Sequence, residues 1–306
     1  MKKEQIIAII FGSILGVVVA AWVWKLSKQK PQEPKKININ QFEIAQDNPE
    51  TDFDFKLTYP LKNSVFPNKQ ATITGFTPSN SLVAVHTNQV YLAKPNEKNE
   101  FSIKVELTPG INNVTVWSIK PGEKSKVENL TLIYSSKVGL NEEDGNKAII
   151  SVIGTITDIS SESIQLRSEN GEIEQLSVAK DATYALINSE SKDLEFKDLA
   201  IGDFVAAIGT RNNEGVFNVN RVLVTTISQT NKMNLLTGVI KNLSKKEFII
   251  SSAENNEVSI DATGSINIYS FDLSAEKLSS AKEGDEIIVF GKFKDKELVA
   301  ETIVLL

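Results

Sequence analysis

The sequence predicts an all-β body, built from one β-sandwich and two small β-barrels, behind a single N-terminal transmembrane helix. Three observations predict this fold class: an uncharged apolar stretch near the N-terminus, a period-two alternation of apolar and polar residues after residue 55, and an internal repeat in the C-terminal half. The predicted segments are an anchor over 1–27, a linker over 28–54, a sandwich over 55–136, and barrels over 149–229 and 230–306.

Composition excludes several classes of site. The chain has 306 residues, no cysteine and one histidine, His86. It therefore has no disulfide scaffold, no thiolate metal site, no cysteine nucleophile and no site that needs two imidazoles. Gly-rich phosphate loops and metalloprotease motifs are also missing from the sequence, so we predict no catalytic residue, no cofactor and no metal.

Charge divides the chain into a basic start and an acidic body. The first 36 residues carry seven lysines against two glutamates. The remainder carries 26 basic and 37 acidic residues, which is a net charge of −11. Because nucleic-acid binding depends on basic patches, the acidic body predicts no nucleic-acid partner.

The apolar stretch covers residues 6–24 and contains no charged residue. As a helix it would be about 28 Å long, close to the thickness of a bilayer core. A cleaved signal peptide is the main alternative, with Val18-Val19-Ala20 as a cleavage context. Its apolar region is normally about 7–15 residues, shorter than this one, so we predict a retained single-pass anchor.

Orientation follows from two opposed signals. Five lysines follow the apolar stretch and two precede it, so a count of positive charges favours a cytoplasmic body. Long domains after the helix translocate largely regardless of charge, and a short basic N-terminus before an apolar stretch is typical of secretory signals. We therefore predict a cell-membrane protein whose C-terminal body is extracytoplasmic.

Small residues recur at every fourth position of the predicted helix, namely Ala8, Gly12, Gly16 and Ala20. Positions four apart share one face, and small residues let two helix backbones approach closely in lipid. This face predicts a helix-packing site and a homodimer through the membrane segment. Glycine and alanine are also common in membrane helices, so composition alone is the alternative explanation.

Seven short runs of strand-forming residues follow the linker. They lie at 55–59, 70–75, 82–87, 89–93, 101–107, 113–119 and 127–134, with proline-containing turns between most of them. Seven strands in about 80 residues are typical of an immunoglobulin-like sandwich. If Val83 and Val85 face the sandwich core, His86 on the opposite face is expected to contact water.

Residues 56–135 resemble bacterial immunoglobulin-like domains of the glucodextranase B-domain kind. The resemblance depends on Tyr59-Pro60, Ile73-Thr74-Gly75, Phe101-Ser102 and Leu107-Thr108-Pro109-Gly110-Ile111-Asn112. It implies structural turns at Gly75, Gly110 and Asn112, an extracytoplasmic habit and no catalytic residue. The chain departs from the family before Phe101, where Asn99-Glu100 replaces the usual glycine turn.

The internal repeat covers residues 149–306. Gly154 corresponds to Gly238 at an offset of 84, and the repeated dipeptides Gly202-Asp203 and Gly284-Asp285 are 82 apart. Each copy contains about five strands; in the first they lie near 151–158, 162–168, 172–178, 203–210 and 216–225. Because closure removes exposed sheet edges, each copy is predicted to be a small barrel, capped by a helical turn near 194–201 or 273–278.

The two copies resemble a tandem bacterial domain family of unknown function that is related in shape to OB-folds. The pattern is Gly-x-Ile at the start, Asp-x-Thr at Asp181 and Asp261, and Gly-Asp-x-Val before the fourth strand. The aspartates of these motifs could be a carboxylate site, but their position beside glycine favours structural turns at Gly202, Asp203, Gly284 and Asp285.

The function expected from these features is non-enzymatic. The chain is predicted to be a membrane-anchored cell-envelope protein that presents β modules as a scaffold or adhesion-like module to a protein or glycan partner. One alternative is an accessory subunit that docks in a larger membrane assembly through its transmembrane helix. The other is a hydrolase with carboxylate chemistry.

Overall fold

The computed structural model describes residues 54–137, 149–187, 192–225, 232–244, 246–252 and 256–306. All of them belong to one structural unit, Ile44–Leu306. Helix in these ranges is limited to two single 3-10 turns, Phe196–Asp198 and Leu278–Ser280, and nothing there could span a bilayer as a helix. The all-β prediction for the body is confirmed, whereas the predicted membrane helix at 6–24 lies outside the described residues.

The first module is a sandwich of two sheets. Its strands are β1 (Lys56–Tyr59), β2 (Val65–Phe66), β3 (Gln70–Phe76), β4 (Leu82–His86), β5 (Val90–Ala93), β6 (Glu100–Glu106), β7 (Gly110–Ile119) and β8 (Lys126–Tyr134). Strands β1, β3 and β6 form one antiparallel sheet, and the others lie in the order β2-β8-β7-β4-β5. Each strand predicted for this module has a counterpart, and β2 is an addition.

Alternation along the strands builds the sandwich core. In β6, Phe101, Ile103 and Val105 are buried, whereas the residues between them are exposed. Ile73 of β3 and Val116 of β7 join them in one apolar cluster between the two sheets. Burying each of these side chains contributes about 1.5–3 kcal/mol to folding, so this cluster is the main stabilising element of the module.

Each repeat forms a five-stranded barrel with one added strand. The first has β9 (Ile150–Ser160), β10 (Ser163–Arg167), β11 (Ile173–Ile187), β12 (Lys192–Leu194), β13 (Phe204–Arg211) and β14 (Phe217–Thr225). The second has β15 (Asn234–Leu243), β16 (Glu247–Ser251), β17 (Glu257–Asp261), β18 (Asn267–Ser270), β19 (Glu286–Lys294) and β20 (Glu297–Leu305).

The strands of both barrels are paired in the same cyclic order. In the first barrel the order is β10-β9-β13-β14-β11, and β11 pairs with β10 to close it. In the second barrel the equivalent order is β16-β15-β19-β20-β17, and β17 pairs with β16 to close it. Strands β11 and β14 are parallel, as are β17 and β20. Both barrels therefore have one strand order, as expected for a duplicated domain.

The Gly-Asp turns are equivalent in the two barrels. Gly202 has φ of +100° and donates its backbone N–H to Ile156 O at 2.9 Å. Gly284 has φ of +93° and donates in the same way to Ile240 O at 2.9 Å. A positive φ is costly for residues with a Cβ, so glycine at both positions fixes the entry into the fourth barrel strand.

Both barrels dock on the outer face of the five-stranded sheet of the sandwich. The first barrel contributes Ala206 and Ile208 from β13 and Leu223 from β14. They pack against Ile111 and Ile133 of the sandwich. All of these residues except Ile111 are buried, so an apolar interface joins the two modules.

The second barrel docks through the equivalent residues. Ile288 and Phe290 of β19 are 82 positions after Ala206 and Ile208, which is the offset of the Gly-Asp turns. With Val304 of β20 they pack against Leu82, Ala84, Trp117 and Ile119 of the sandwich. Both barrels therefore pack on one sheet of the sandwich, and each barrel uses the equivalent part of its own surface.

This docking overturns the expectation for His86. Val83 and Val85 do face the sandwich core, and His86 does lie on the opposite face. That face is covered by the second barrel, however, and the histidine is only 8 % exposed. Alternation correctly assigned the face of the strand, but the partner on that face comes from residues more than 200 positions away.

Candidate binding cleft

A cleft of about 520 Å³ with a mixed polar and apolar lining lies between the sandwich and the first barrel. Its sandwich wall includes the segment after β1, at Lys62 and Asn63, and outward positions of β7 and β8, at Asn113 and Thr131. Its barrel wall includes the β10–β11 hairpin turn, residues 168–172. The volume lies within the range of small-ligand sites, about 300–1,000 Å³.

Asn63 fixes the sandwich wall. It has a positive φ of 64°, a conformation that asparagine tolerates better than most residues. Its backbone N–H donates to Thr131 O at 2.7 Å, and its carbonyl accepts a bond from Ser151 Oγ of β9 at 2.9 Å. Because Ser151 belongs to the barrel, this bond joins the two walls of the cleft.

The hairpin turn between β10 and β11 forms the opposite wall. Gly171 has φ of +86°, and Ser168 N donates to Glu172 O at 2.9 Å, which closes the turn. Ser168 Oγ also donates to Asn170 Oδ1. Glu169, Asn170 and Glu172 are exposed on this turn. The wall therefore presents carboxylate and amide groups on a hydrogen-bonded turn.

Charge in the cleft is partly neutralised. Arg211 Nη1 forms an ion pair with Glu174 Oε1 at 2.6 Å and donates a hydrogen bond to Gly215 O at 3.0 Å. The guanidinium of Arg211 also lies over the ring of Phe217. This ion pair is half-exposed and stabilises the structure by less than about 1 kcal/mol. Because the two charges are paired with each other, neither is a free charge for a ligand. Of the other ionised lining residues, Glu169 and Glu172 outnumber Lys62, so the cleft has an excess of negative charge.

The cleft offers hydrogen-bonding groups beside an apolar surface. Amide, hydroxyl and carboxylate groups line it together with apolar side chains, namely Ile111, Val152, Ile153, Leu166 and Phe204. In the part of the chain that the structure describes, no three acidic or histidine side chains converge to hold a metal ion. A ligand rich in hydroxyl or N–H donors would satisfy the exposed oxygens of this lining.

The aspartates of the Gly-Asp motifs have local roles. Asp203 Oδ2 accepts a bond from Ala200 N at 2.8 Å, and Asp285 Oδ2 accepts one from Lys282 N, also at 2.8 Å. Each carboxylate thus closes the turn that precedes its own strand. The structure places them on separate barrels and outside the lining of the cleft.

The Asp-x-Thr motifs differ between the copies. Asp261 Oδ1 accepts a bond from Thr263 N at 2.8 Å, and hydrogen bonds from Thr263 lower the pKa of this carboxyl. In the first copy, Thr183 Oγ1 instead accepts a bond from Arg221 Nη1 at 2.8 Å. Arg221 is buried, and burial lowers the pKa of its guanidinium. Neither motif lines the cleft.

Gly75 is not in a turn. It lies within β3 and pairs with Phe101. A Cβ there would lie 2.4 Å from Lys56 O and 2.7 Å from the Phe101 ring, so glycine is required by close packing rather than by a turn conformation. The left-handed residue near this position is Asn99, with φ of 64°.

Gly110 and Asn112 act together at the start of β7. Gly110 has φ of +90°. Asn112 is buried and its Oδ1 accepts bonds from Thr108 N at 2.7 Å and Thr108 Oγ1 at 3.0 Å, while its Nδ2 donates to Thr108 O and Gly110 O. These bonds hold the turn that leads into the strand bearing Asn113 of the cleft.

The predicted helix-packing residues Ala8, Gly12, Gly16 and Ala20 lie outside the described residues.

The cleft residues themselves were not singled out from the sequence. The turn signal Ser168-Glu169-Asn170-Gly171 was visible, but it only indicated a loop. That this loop faces Asn113 depends on how the barrel docks, which no local pattern specifies.

Comparison with known proteins identifies no family. No protein-family model matches the chain, and no curated protein is significantly similar to it. Solved structures that match include one described as concerning host cell surface retention of a 1.5-MDa bacterial ice-binding adhesin. It is 12 % identical, with 84 % of this chain and 98 % of that chain covered, and the TM-score is 0.21. A similarity this low supports no conclusion about fold or function.

Proposed function

We propose that this chain is a membrane-anchored cell-envelope protein whose body is a non-enzymatic binding module for a glycan. The observation that carries the proposal is the cleft, lined by both polar and apolar groups, between two modules that an apolar interface holds together. Such an interface fixes both walls, so a ligand can bind without first ordering the site. Envelope location rests on the apolar segment at 6–24 and on the resemblance of the sandwich to extracytoplasmic domains.

A glycan suits the cleft better than the other polymers do. Its hydroxyl groups can donate hydrogen bonds to the exposed side-chain oxygens of Asn113, Glu169 and Glu172. The acidic lining repels nucleic acid. A stable protein interface needs more than about 1,000 Å² of buried surface, which a cleft of this size alone does not supply. Small five-stranded Greek-key barrels are a known framework for oligosaccharide binding, in keeping with the resemblance of the copies to OB-like domains.

The role of the carboxylates favours binding over hydrolysis. Of the three glutamates in the cleft, Glu174 is held by Arg211 at 2.6 Å, and the exposed Glu169 and Glu172 lie on the turn at the rim. Glycoside hydrolysis requires two opposed carboxylates, one of them with a raised pKa. We therefore assign these carboxylates to hydrogen bonding with ligand hydroxyl groups.

The test is binding of the detergent-solubilised full chain to an array of bacterial envelope glycans. Asn113→Ala and Glu172→Gln, both at exposed cleft positions, are expected to weaken binding several-fold. Asn242→Ala, at an exposed position of the second barrel, is the matched control and is expected to bind as the parent does. Failure of the parent to bind any glycan, or equal binding by all variants, would contradict the proposal.

A second candidate function is supported by the small-residue face of the predicted membrane helix. Ala8, Gly12, Gly16 and Ala20 would let a partner helix approach closely. In that case the chain is an accessory subunit of a membrane assembly, and the body positions the cleft relative to its partner. Crosslinking from Gly12 in membranes separates the two cases, because a second copy and a foreign helix give products of different mass.

A further inference from the structure

The single histidine of the chain lies in the interface between the sandwich and the second barrel. His86 ends β4, on the same face as Leu82 and Ala84, which pack against Ile288 and Phe290. Its neighbours in the sheet are Val90 of β5 and Thr115 of β7. With 8 % of its surface exposed, the imidazole lies at the border of an apolar contact.

Two charged groups of the second barrel act electrostatically on this imidazole. They are Lys292 of β19 and Glu301 of β20, which form an ion pair of 2.6 Å with each other. Burial lowers the pKa of His86 below 6.5, Lys292 lowers it further, and Glu301 opposes them. In the docked arrangement the imidazole is therefore neutral at neutral pH.

The first barrel offers no such charges at the equivalent positions. Strand β13 has Thr210 where β19 has Lys292, at the offset of 82 that relates the docking residues. Gly209 of β13 pairs with Val219, and the equivalent Gly291 of β19 pairs with Ala300. The residues that follow these partners, Asn220 in β14 and Glu301 in β20, are therefore equivalent. Two equivalent interfaces therefore differ in titratable groups at this position.

We propose that the second barrel docks on the sandwich through an acid-sensitive contact, which weakens when His86 is protonated, while the first barrel stays docked. An undocked His86 takes up a proton near its ordinary pKa of 6.5, whereas the docked imidazole resists it. The undocked state therefore binds more protons, so docking is complete above about pH 6.5 and weakens progressively below it. Acidification then raises the fraction of molecules in which the apolar face that carries Ala84 and Trp117 is exposed.

Trp117 reports on this interface directly. It is one of three tryptophans, and the other two are Trp22 and Trp24 of the predicted membrane segment. In a full-length Trp22→Phe, Trp24→Phe background, acrylamide quenching of the remaining fluorescence measures access to Trp117. Between about pH 7.5 and about pH 5 we expect the quenching constant to rise at least twofold. The variant His86→Gln, which cannot titrate, is expected to show no such rise.

Hydrogen exchange provides the second measurement and controls for misfolding. At acidic pH, the amides of 286–290 in the second barrel are expected to be less protected in the parent than in His86→Gln. The amides of 204–208 in the first barrel are expected to be equally protected in both proteins. Lys292→Thr, which introduces the residue of the first barrel and keeps His86, is expected to reduce the effect. A parent whose quenching does not change with pH, equal pH responses of parent and His86→Gln, or equal loss of protection in both barrels would overturn the proposal.

Discussion

The indole of Trp117 meets the ring of Phe290 edge to face, with 5.6 Å between the ring centroids, across the boundary between the sandwich and the second barrel. Phe290 is fully buried and Trp117 is 6 % exposed. An aromatic pair of this geometry stabilises by about 0.5–1.5 kcal/mol beyond the effect of its buried area. The two modules are therefore joined by packing of the kind found inside a single domain.

Phe290→Ala is expected to destabilise the body by about 3–5 kcal/mol, because it removes a buried ring and leaves a cavity against Trp117. The measurement is the midpoint of urea unfolding, followed by Trp117 fluorescence in the Trp22→Phe, Trp24→Phe background. Phe76→Ala is the matched control, since Phe76 is 43 % exposed, and it is expected to change stability by less than about 0.5 kcal/mol. Equal midpoints for the two variants would show that the docking contact does not stabilise the body.

Gly202→Val and Gly284→Val are each expected to destabilise their own barrel by about 1–3 kcal/mol. No atom lies within 4 Å of a Cβ built at either position, so the cost comes from the positive φ rather than from a clash. Gly264→Val is the control, with equally open surroundings and no positive φ. Hydrogen exchange resolved by segment is the measurement, and equal loss of protection in both barrels would show that they unfold together.

Asn112→Ala is expected to cost about 1–3 kcal/mol, because it removes a buried side chain that bonds the part-buried backbone of Thr108 and the buried carbonyl of Gly110. Thermal unfolding of the full chain is the measurement. Asn129→Ala removes an exposed asparagine that accepts one bond from Thr115 Oγ1, and its effect is expected to be small. If the two variants unfold at the same temperature, the turn before β7 does not depend on this amide.

Gly12→Ile and Gly16→Ile are each expected to abolish self-association of the predicted membrane helix, because a large side chain holds the backbones apart. A membrane two-hybrid reporter carrying residues 1–30 is the measurement. Ile14→Leu changes a residue of another face and is expected to have no effect. A parent helix that does not associate would exclude the homodimer.

Protease added to intact spheroplasts is expected to remove the body from the full chain, because the body is predicted to be outside the membrane. The membrane-associated remainder should end near residue 30, detected with an N-terminal tag. Disruption of the membrane is the control for cleavage of a protected body. Protection in intact spheroplasts would instead support the orientation that the lysine count favours.

The secondary structure of the body was predictable because its signal is local. Period-two alternation in β6 marks Phe101, Ile103 and Val105 as core residues, and the structure buries all three. The repeat also predicted equivalent strands in both barrels. Gly75 was misassigned because one signal, a glycine after a strand-like run, fits both a turn and a close contact between strands.

A further signal in the sequence was overlooked. Several runs are apolar without alternation, among them Leu82-Val83-Ala84-Val85 in β4 and Ile287-Ile288-Val289-Phe290 in β19. Such runs are typical of strands buried on both faces. They indicated that the modules have partners, although they did not say which module meets which.

What the sequence by itself determined is therefore most of the strands, the faces they bury inside each module and the duplication. What only the tertiary structure decided is the docking of both barrels on one sheet, and with it the burial of His86 and the cleft between Asn113 and the 168–172 turn. The physical reason is that alternation follows from backbone geometry within a strand, whereas docking depends on the match between two surfaces formed by residues far apart in the chain.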